Sequence, residues 1–480
     1  MNIRNLLVAL LLTFSASILS AQTATVLRLT GTKDAVFYDD AGNEVAISNG
    51  QTIPVGAIVE VKAGTKLFLK TFEGTITIFD PGSVFEIEAL EVTADKKEKT
   101  VIDLQSGDLV ASLDPRKRSV NDYGVKTPKG VAAARGTQYS VSVNGVDVVV
   151  TVVGGTVELS IPDVGTFNLT AGQGSSGGAP SALASLISGG GETANVVKTA
   201  LQATAAAVST LVASGEEGVS SDALTSVIAT TGAAAQASGD TTLLAATSAA
   251  ASTAATEVKV AADAALADAQ ASGDATAIAA AQSAANTAGT ASKAVVRTVV
   301  QSAVAADPTS ATQLVSAVAN AVTQTDASAD TAEVINEVTT SANETIQTVA
   351  PQNTPTVQQS DVTEAVDEGD VTETEVPVDQ IEVAQLATFT LRLSGGRLVA
   401  VTVNDLDDVV NVRTVTQVVG TPTAQLGDGS ALNFAVPQEV LDVIGSLSGE
   451  QRAAILSQLT DLLGVTITVP NNSITVSPSS

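Results

Sequence analysis

From Val26 to about Thr170, apolar and polar residues alternate in short runs broken by turn residues, the period-two pattern of half-buried antiparallel strands. Thr75-Ile76-Thr77-Ile78, the turn Asp80-Pro81-Gly82-Ser83 and Val84-Phe85-Glu86-Ile87-Glu88 place Ile76, Ile78, Phe85 and Ile87 on one face. The clearest hairpin joins Gln138–Val143 to Val146–Val153 across Asn144-Gly145, a dipeptide suited to the positive φ angles of a type I′ turn. Gly154-Gly155 then leads into Thr156–Ile161, closed by Pro162–Gly165. About a dozen short strands predict an all-β domain over residues 26–171, built as a jelly roll, a sandwich or an irregular solenoid.

Residues 172–181 read as a Gly/Ser linker, after which the period changes and Ala, Thr, Ser and Val dominate residues 182–350. Ser238-Gly239-Asp240 and Ser272-Gly273-Asp274 each offer a glycine to end one helix and an aspartate to cap the next, and Asp307-Pro308 sets proline at a first helical position. Gln236-Ala237-Ser238-Gly239-Asp240 recurs as Gln270-Ala271-Ser272-Gly273-Asp274, a spacing that suits a helical hairpin but lacks the bulky positions of a tetratricopeptide repeat. Burying an alanine methyl returns only about 0.8 kcal/mol against a backbone entropy cost of about 1–2 kcal/mol per residue. The expectation for this stretch is therefore helices that associate loosely, as a stalk or flat bundle, with partial disorder as the competing reading.

Residues 351–384 collect Pro, Gln, Thr and carboxylates, the composition of a solvated acidic linker. Asp361, Glu364, Asp367, Glu368, Asp370, Glu373 and Glu375 do not follow calcium-loop spacing. A small α+β domain is predicted over 385–480. Its signals are a hairpin of Leu386–Leu393 with Leu398–Val403, a third strand in Val409–Val419, and helices from Pro437 and Ser448, the second carrying a stripe of Ile455, Leu456, Leu459, Leu462 and Leu463. A closing strand pair brackets Pro470-Asn471-Asn472. At the other end, Leu6–Leu19 is a mostly apolar run after Arg4, too short for a bilayer of about 30 Å and suited to a signal peptide over residues 1–21, cleaved after Ala21. No later segment reads as long and apolar enough for a span.

Composition then removes chemistry. The 480 residues include no His, Cys or Trp, and no aromatic lies between Phe167 and Phe389. Without imidazole or thiolate, serine triads, cysteine nucleophiles and zinc sites are excluded, and no carboxylate or lysine motif replaces them. No enzyme activity, catalytic residue, cofactor or metal site is expected. A net charge of −28 argues against nucleic acid and against anionic lipid surfaces.

One stretch carries a resemblance. Val125-Lys126-Thr127-Pro128-Lys129-Gly130-Val131-Ala132-Ala133-Ala134-Arg135-Gly136-Thr137-Gln138-Tyr139-Ser140-Val141 resembles the "TP-x-G … RGT-x-F/Y-x-V" signature of FecR-type domains, followed by the valine hairpin and Gly155-Thr156-Val157. Phe79-Asp80-Pro81-Gly82-Ser83 and Leu104-Gln105-Ser106-Gly107-Asp108-Leu109 resemble the family's "DGS" turn and "L-x-x-G-x-L" strand pair, so the likeness runs from about Ala57 to Ser160. The founding FecR proteins join a sigma-factor-binding cytosolic segment, a membrane span and a periplasmic portion that senses an outer-membrane transporter. The likeness here reaches only the last of these, which implies the standalone exported type, in the periplasm or at the cell surface.

Arg135 can hold a carboxylate or phosphate through two parallel hydrogen bonds, although an Arg beside Gly136 at a strand entry more often pairs internally. Arg116, Lys117 and Arg118 form the densest basic cluster and can meet an anionic envelope polymer, or simply guard an edge strand. The expected function is an exported envelope or cell-surface binding or scaffolding protein, its partner an envelope protein or polysaccharide. The alternatives are a FecR-type regulator of a signalling pathway and a surface or matrix structural protein.

Overall fold

The computed structural model describes residues 23–39, 42–145, 147–350 and 354–367, together with the backbone of seven later strands: 371–377, 388–394, 397–404, 409–410, 423–426, 431–433 and 465–467. The signal peptide and the C-terminal helices expected from the sequence lie outside the described residues. The chain divides into two compact units, one of residues 1–314, 321–329 and 340–356, the other of residues 315–320, 330–339 and 357–480.

The first unit begins with strands β1 (Thr23–Gly31), β2 (Ala35–Tyr38), β3 (Glu44–Ala46), β4 (Thr52–Pro54), β5 (Ile58–Val61), β6 (Thr65–Phe72), β7 (Thr75–Phe79), β8 (Val84–Val92) and β9 (Glu98–Leu113). It continues with β10 (Asn121–Thr127), β11 (Gly130–Ala134), β12 (Gln138–Asn144), β13 (Asp147–Gly154), β14 (Thr156–Ile161), β15 (Gly165–Thr170), β16 (Gln173–Ser176) and β17 (Ser181–Ala182). Hydrogen bonding sorts them into two sheets that share one strand. Sheet I runs β4-β1-β6-β7-β9-β12-β13-β16-β17. Sheet II runs β3-β2-β5-β8-β9-β10-β11-β14-β15, with β9–β10 its one parallel pair. The first half of β9 pairs with β8 and the second with β7 and β12, and Gly107, at φ +89, turns the strand between layers. Of the three all-β forms open to the sequence, the chain takes the sandwich.

Between the layers lies one apolar core that includes Val26, Leu67, Leu69, Ile87, Ile102, Leu104, Leu109, Val125, Val141 and Val157. Phe79 and Phe85 stack at 3.5 Å with their planes 3° apart. Tyr123 and Tyr139 meet edge to face at 6.4 Å, and the Tyr123 hydroxyl reaches across the layers to Thr77 Oγ1 at 2.6 Å. Burial raises the pKa of both phenols, so neither ionises in the working range.

Sheet II follows the alternation that the sequence predicts, with polar residues of β8 and β14 facing outward. Sheet I does not: every residue of β7 and nearly every residue of β12 and β13 is buried. Both faces of this sheet are covered, and runs with apolar residues on both faces, such as Val148–Val153 with its single Thr151, are the sequence form of that arrangement. The cover is helical. It comprises α1 (Leu183–Ser188), α2 (Gly191–Ala213), α3 (Ser221–Ser238), α4 (Leu243–Ser272) and α5 (Ala275–Ala306). Ala207 and Leu211 of α2 pack on Phe68, Ile76, Ile78 and Val110 on the outer face of sheet I.

This corrects the loosely associated stalk expected from the alanine-rich composition. The low return per alanine holds for isolated helices, but sheet I supplies the bulky side chains that the helices lack. Small residues also bring the helices close together: a Cβ on Gly232 of α3 would lie 2.6 Å from Ala306 Cβ. Some of the buried hydroxyls are satisfied within their own helices, Thr204 donating to Ala200 O at 2.7 Å, Thr231 to Val227 O at 2.9 Å, Ser248 to Leu244 O at 2.8 Å and Thr256 to Ser252 O at 2.8 Å, whereas those of Ser209, Thr247 and Ser252 are buried without a partner among the described residues. Helix α2 is long and apolar enough to cross a membrane, which the sequence reading missed, and its buried face here is the one against sheet I and the neighbouring helices. The linker expected over 172–181 is likewise ordered, as β16 and β17 at the edge of sheet I.

The helix ends use the predicted chemistry. Gly239 and Gly273 close α3 and α4 in the left-handed region, at φ 76 and 72. Asp240 Oδ1 accepts from the amides of Thr242 and Leu243, both at 3.0 Å, and Asp274 Oδ1 from Thr276 and Ala277 at 2.8 and 3.2 Å. Asp240 also receives Lys198 Nζ of α2 at 2.7 Å. Burial raises the Asp240 pKa, but the Lys198 and Thr242 hydrogen bonds outweigh it and hold the carboxyl at about 2. The folded value lies below the ordinary value of about 3.9, so the stabilisation is complete above about pH 4 and is lost as pH falls through about 2. Thermal melts of the wild type should therefore fall more steeply between pH 4 and 2 than those of Asp240→Asn; parallel slopes would refute the pairing.

In the second unit, residues 315–320 belong to α6 (Ala311–Thr325) and 330–339 largely to α7 (Thr331–Val349), followed by α8 (Gln359–Asp367). Asn320 Nδ2 donates to Ala365 O at 3.3 Å and Gln359 Nε2 to Asn336 Oδ1 at 2.6 Å. Strands 371–377, 388–394, 397–404 and 409–410 form one antiparallel sheet, which contains the predicted hairpin and begins inside the stretch read as acidic linker. Strands 423–426, 431–433 and 465–467 form another.

Candidate binding site at a basic corner

The residues that carry the FecR-like signature prove to be structural where they are buried. Ser83 Oγ lies 2.7 Å from Asp80 O and 2.9 Å from Asp108 O, and it accepts from the Asp108 amide at 3.1 Å. One hydroxyl thereby ties the turn before β8 to the bend in β9. A Cβ on Gly107 would stand 2.5 Å from Ser83 Cα, so the bend admits no side chain. Thr127 Oγ1 accepts from the amides of Lys129 and Gly130 at 3.3 and 3.2 Å and closes the β10–β11 turn. Thr137 Oγ1 donates to Thr156 O at 3.1 Å, joining the entry of β12 to the entry of β14.

Gly136 sits at φ +64 between β11 and β12, and a Cβ there would meet Pro115 Cα at 2.8 Å and Arg118 Cβ at 3.4 Å. This close approach brings two distant basic segments together. Pro115–Lys117 forms a short 3₁₀ turn after β9, capped by Asp114, with Arg118 next in line. Arg135 stands on the facing loop, so Arg116, Lys117, Arg118 and Arg135 share one corner of the sandwich.

Their pairing differs residue by residue. The buried Asp114 accepts from Arg116 Nε at 3.0 and 3.2 Å and from Nη2 at 3.0 Å, while the Arg116 side chain stays 78% exposed. Burial raises the Asp114 pKa, yet the Arg116 hydrogen bonds outweigh this and the net shift is downward. Lys117 Nζ meets Glu98 at 3.5 Å. Arg135 reaches Asp122 of β10 at 3.7 Å, a loose contact with both side chains about half exposed. Arg118 is exposed and forms no ion pair among the described residues. On a chain of net charge −28, four cations at one corner, one of them unpaired, form a surface that anionic groups can approach.

The outward face of sheet II was not singled out from the sequence. Glu86 of β8 faces Asp103 of β9 across the strands, and Asp103 pairs in register with Lys126 of β10. Lys126 Nζ meets Glu88 at 2.6 Å, and Lys62 meets Glu60 at 2.7 Å nearby. The signal was available, since these charges occupy the polar positions of the same period-two runs. With Glu60, Glu86, Glu88 and Asp103 against Lys62 and Lys126, the face is net acidic and offers less to an anionic partner than the corner does.

Residues 57–158 match the family model described as FecR protein. The match spans β5 to β14 and takes in every signature contact above. No curated protein matches the chain. Two solved structures are similar, both of a protein assigned as an anti-sigma factor from Parabacteroides distasonis ATCC 8503, at 1.65 and 2.50 Å resolution. Each is 17% identical with a TM-score of 0.21, and the similarity covers 24% of this chain and 52% of that one. The chain thus spans about half the length of these neighbours.

Proposed function

Taking residues 57–158 as a FecR domain, we propose that this chain is a FecR-type regulatory protein whose sandwich recognises a protein partner outside the cytosol. The observation that carries this reading is the family match itself, which falls on the part of the sandwich that builds the basic corner. An acidic patch on an envelope protein suits that corner, with Arg118 and Arg135 making first contact and the Arg116–Asp114 pair holding the turn in place. The leader-like residues 1–21 support export, and with it a second reading, an exported binding or scaffolding protein with no signalling output. Under either reading the chain works by binding and not by catalysis.

The test places a photo-crosslinking residue at Arg118 in the native host and compares transcripts with and without the gene. The regulatory reading expects one dominant envelope-protein adduct and a confined set of changed transcripts. An adduct with unchanged transcripts would overturn regulation in favour of the second reading, and recovery of the chain in the cytosol would defeat both.

A further inference from the structure

The helical cover does not close completely on sheet I. Beside the end of β1, the facing sides of α4 and α5 overhang Arg28–Gly31 and leave an open groove of about 1030 Å³. Its helical wall is largely alanine, with Ala261, Ala264, Ala280 and Ala284 exposed, and Val258 buried behind them. Thr287 turns its hydroxyl back to Ser283 O at 2.9 Å, while the exposed Ser283 side chain adds a hydroxyl to the lining. Alanine accounts for the room: two helices that carried leucine at these positions would fill it.

Arg28 is the half-buried cation of the groove, and it has no hydrogen bond or ion pair among the described residues. Glu216 and Glu257 attract it without a direct ion pair, Glu257 standing exposed in the lining of the groove, and Lys33 stands exposed at the rim. Burial lowers the Arg28 pKa, the mark of a guanidinium poorly served by its surroundings. A guanidinium fork without a partner is matched best by a carboxylate, which it can hold through two parallel hydrogen bonds. A long apolar wall beside one such cation sets the rest of the ligand.

We propose that this groove binds a single-chain fatty carboxylate, with the acyl chain along the alanine faces of α4 and α5 and the carboxylate on Arg28. The site is separate from the basic corner and does not depend on how the sandwich signals. A volume of about 1030 Å³ is at the upper end of small-molecule pockets and accommodates one long acyl chain.

The experiment titrates the full chain with palmitate, using hexadecanol and lysophosphatidylcholine as head-group controls. Saturable binding of one palmitate per chain is expected, at least tenfold tighter than either control. Arg28→Gln should weaken palmitate at least tenfold and leave hexadecanol unchanged. Ala284→Leu, which fills the groove from an exposed position, should weaken both, and Lys126→Gln, on the far sheet, neither. Equal affinity for palmitate and hexadecanol in the wild type would overturn the role of Arg28 without reference to any variant. Tighter lysophosphatidylcholine than palmitate would overturn the carboxylate, and absence of saturable binding would overturn the site.

Discussion

Replacing Phe85 with alanine should cost about 3–5 kcal/mol and lower the melting temperature by roughly 10 °C. Phe85 is fully buried on β8 in sheet II, and its ring stacks on Phe79 of β7 in sheet I, so its removal empties the space between the two layers at a point where both need it. The site cannot collapse easily, because Ser83 and Gly107 lock the adjoining turn and bend through backbone contacts. Phe85→Leu, which keeps most of the volume, should cost less than half as much. Thermal melts and urea titrations measure both, and a loss under about 1 kcal/mol for Phe85→Ala would show that the stack is not the inter-layer contact described here.

Leu211→Asp should have the opposite distribution: a large local loss with little effect on the inner core. Leu211 packs on Phe68, Ile76, Ile78 and Val110, and a carboxylate there has no cation among the residues of that cluster. Loss of a buried leucine together with an unpaired charge exceeds the few kcal/mol that hold a helix to a sheet face. Hydrogen exchange should show protection across Gly191–Ala213 falling at least 100-fold, about 2.7 kcal/mol, while amides of β8, β10 and β14 change less than tenfold. Equal loss in both groups would mean that sandwich and cover unfold as one body, and that the two cores are not separable.

The contrast between these two substitutions marks what the sequence made legible. Alternation in β8 and β14 and the glycine between β12 and β13 identified an all-β domain, because each of these is a local signal; the hairpin itself turns one residue later than the Asn144-Gly145 loop expected, since Asn144 pairs with Asp147. The Ser-Gly-Asp caps located the helix ends for the same reason. The helical cover was misjudged because its stability is not local. Ala207 and Leu211 gain their burial from Phe68, Ile76, Ile78 and Val110, residues far away along the chain, and an estimate made per alanine omits the surface that receives it. The valine-rich run Val148–Val153, broken only by Thr151, held the missing information, since a strand with apolar residues on both faces has nowhere to meet water.

The corner was legible only in pieces. Arg116–Arg118 and Arg135 stand out as basic residues in an acidic chain, but their juxtaposition depends on Gly136 lying against Pro115, a contact that no spacing announces. The groove left no trace in the sequence, because a cavity lined by alanine reads the same as a helix pair without one.

The two-sided burial of sheet I also bears on how the chain is made. Synthesis runs from the amino end, so the strands through Ser176 can pair before α2 has been added. Until residues 191–213 arrive, the nascent sandwich presents Phe68, Ile76, Ile78 and Val110 to solvent as an uncovered sticky face. A shortened chain ending near Ser176 should therefore precipitate or recruit a holding chaperone, whereas one that extends past Ala213 should stay in solution.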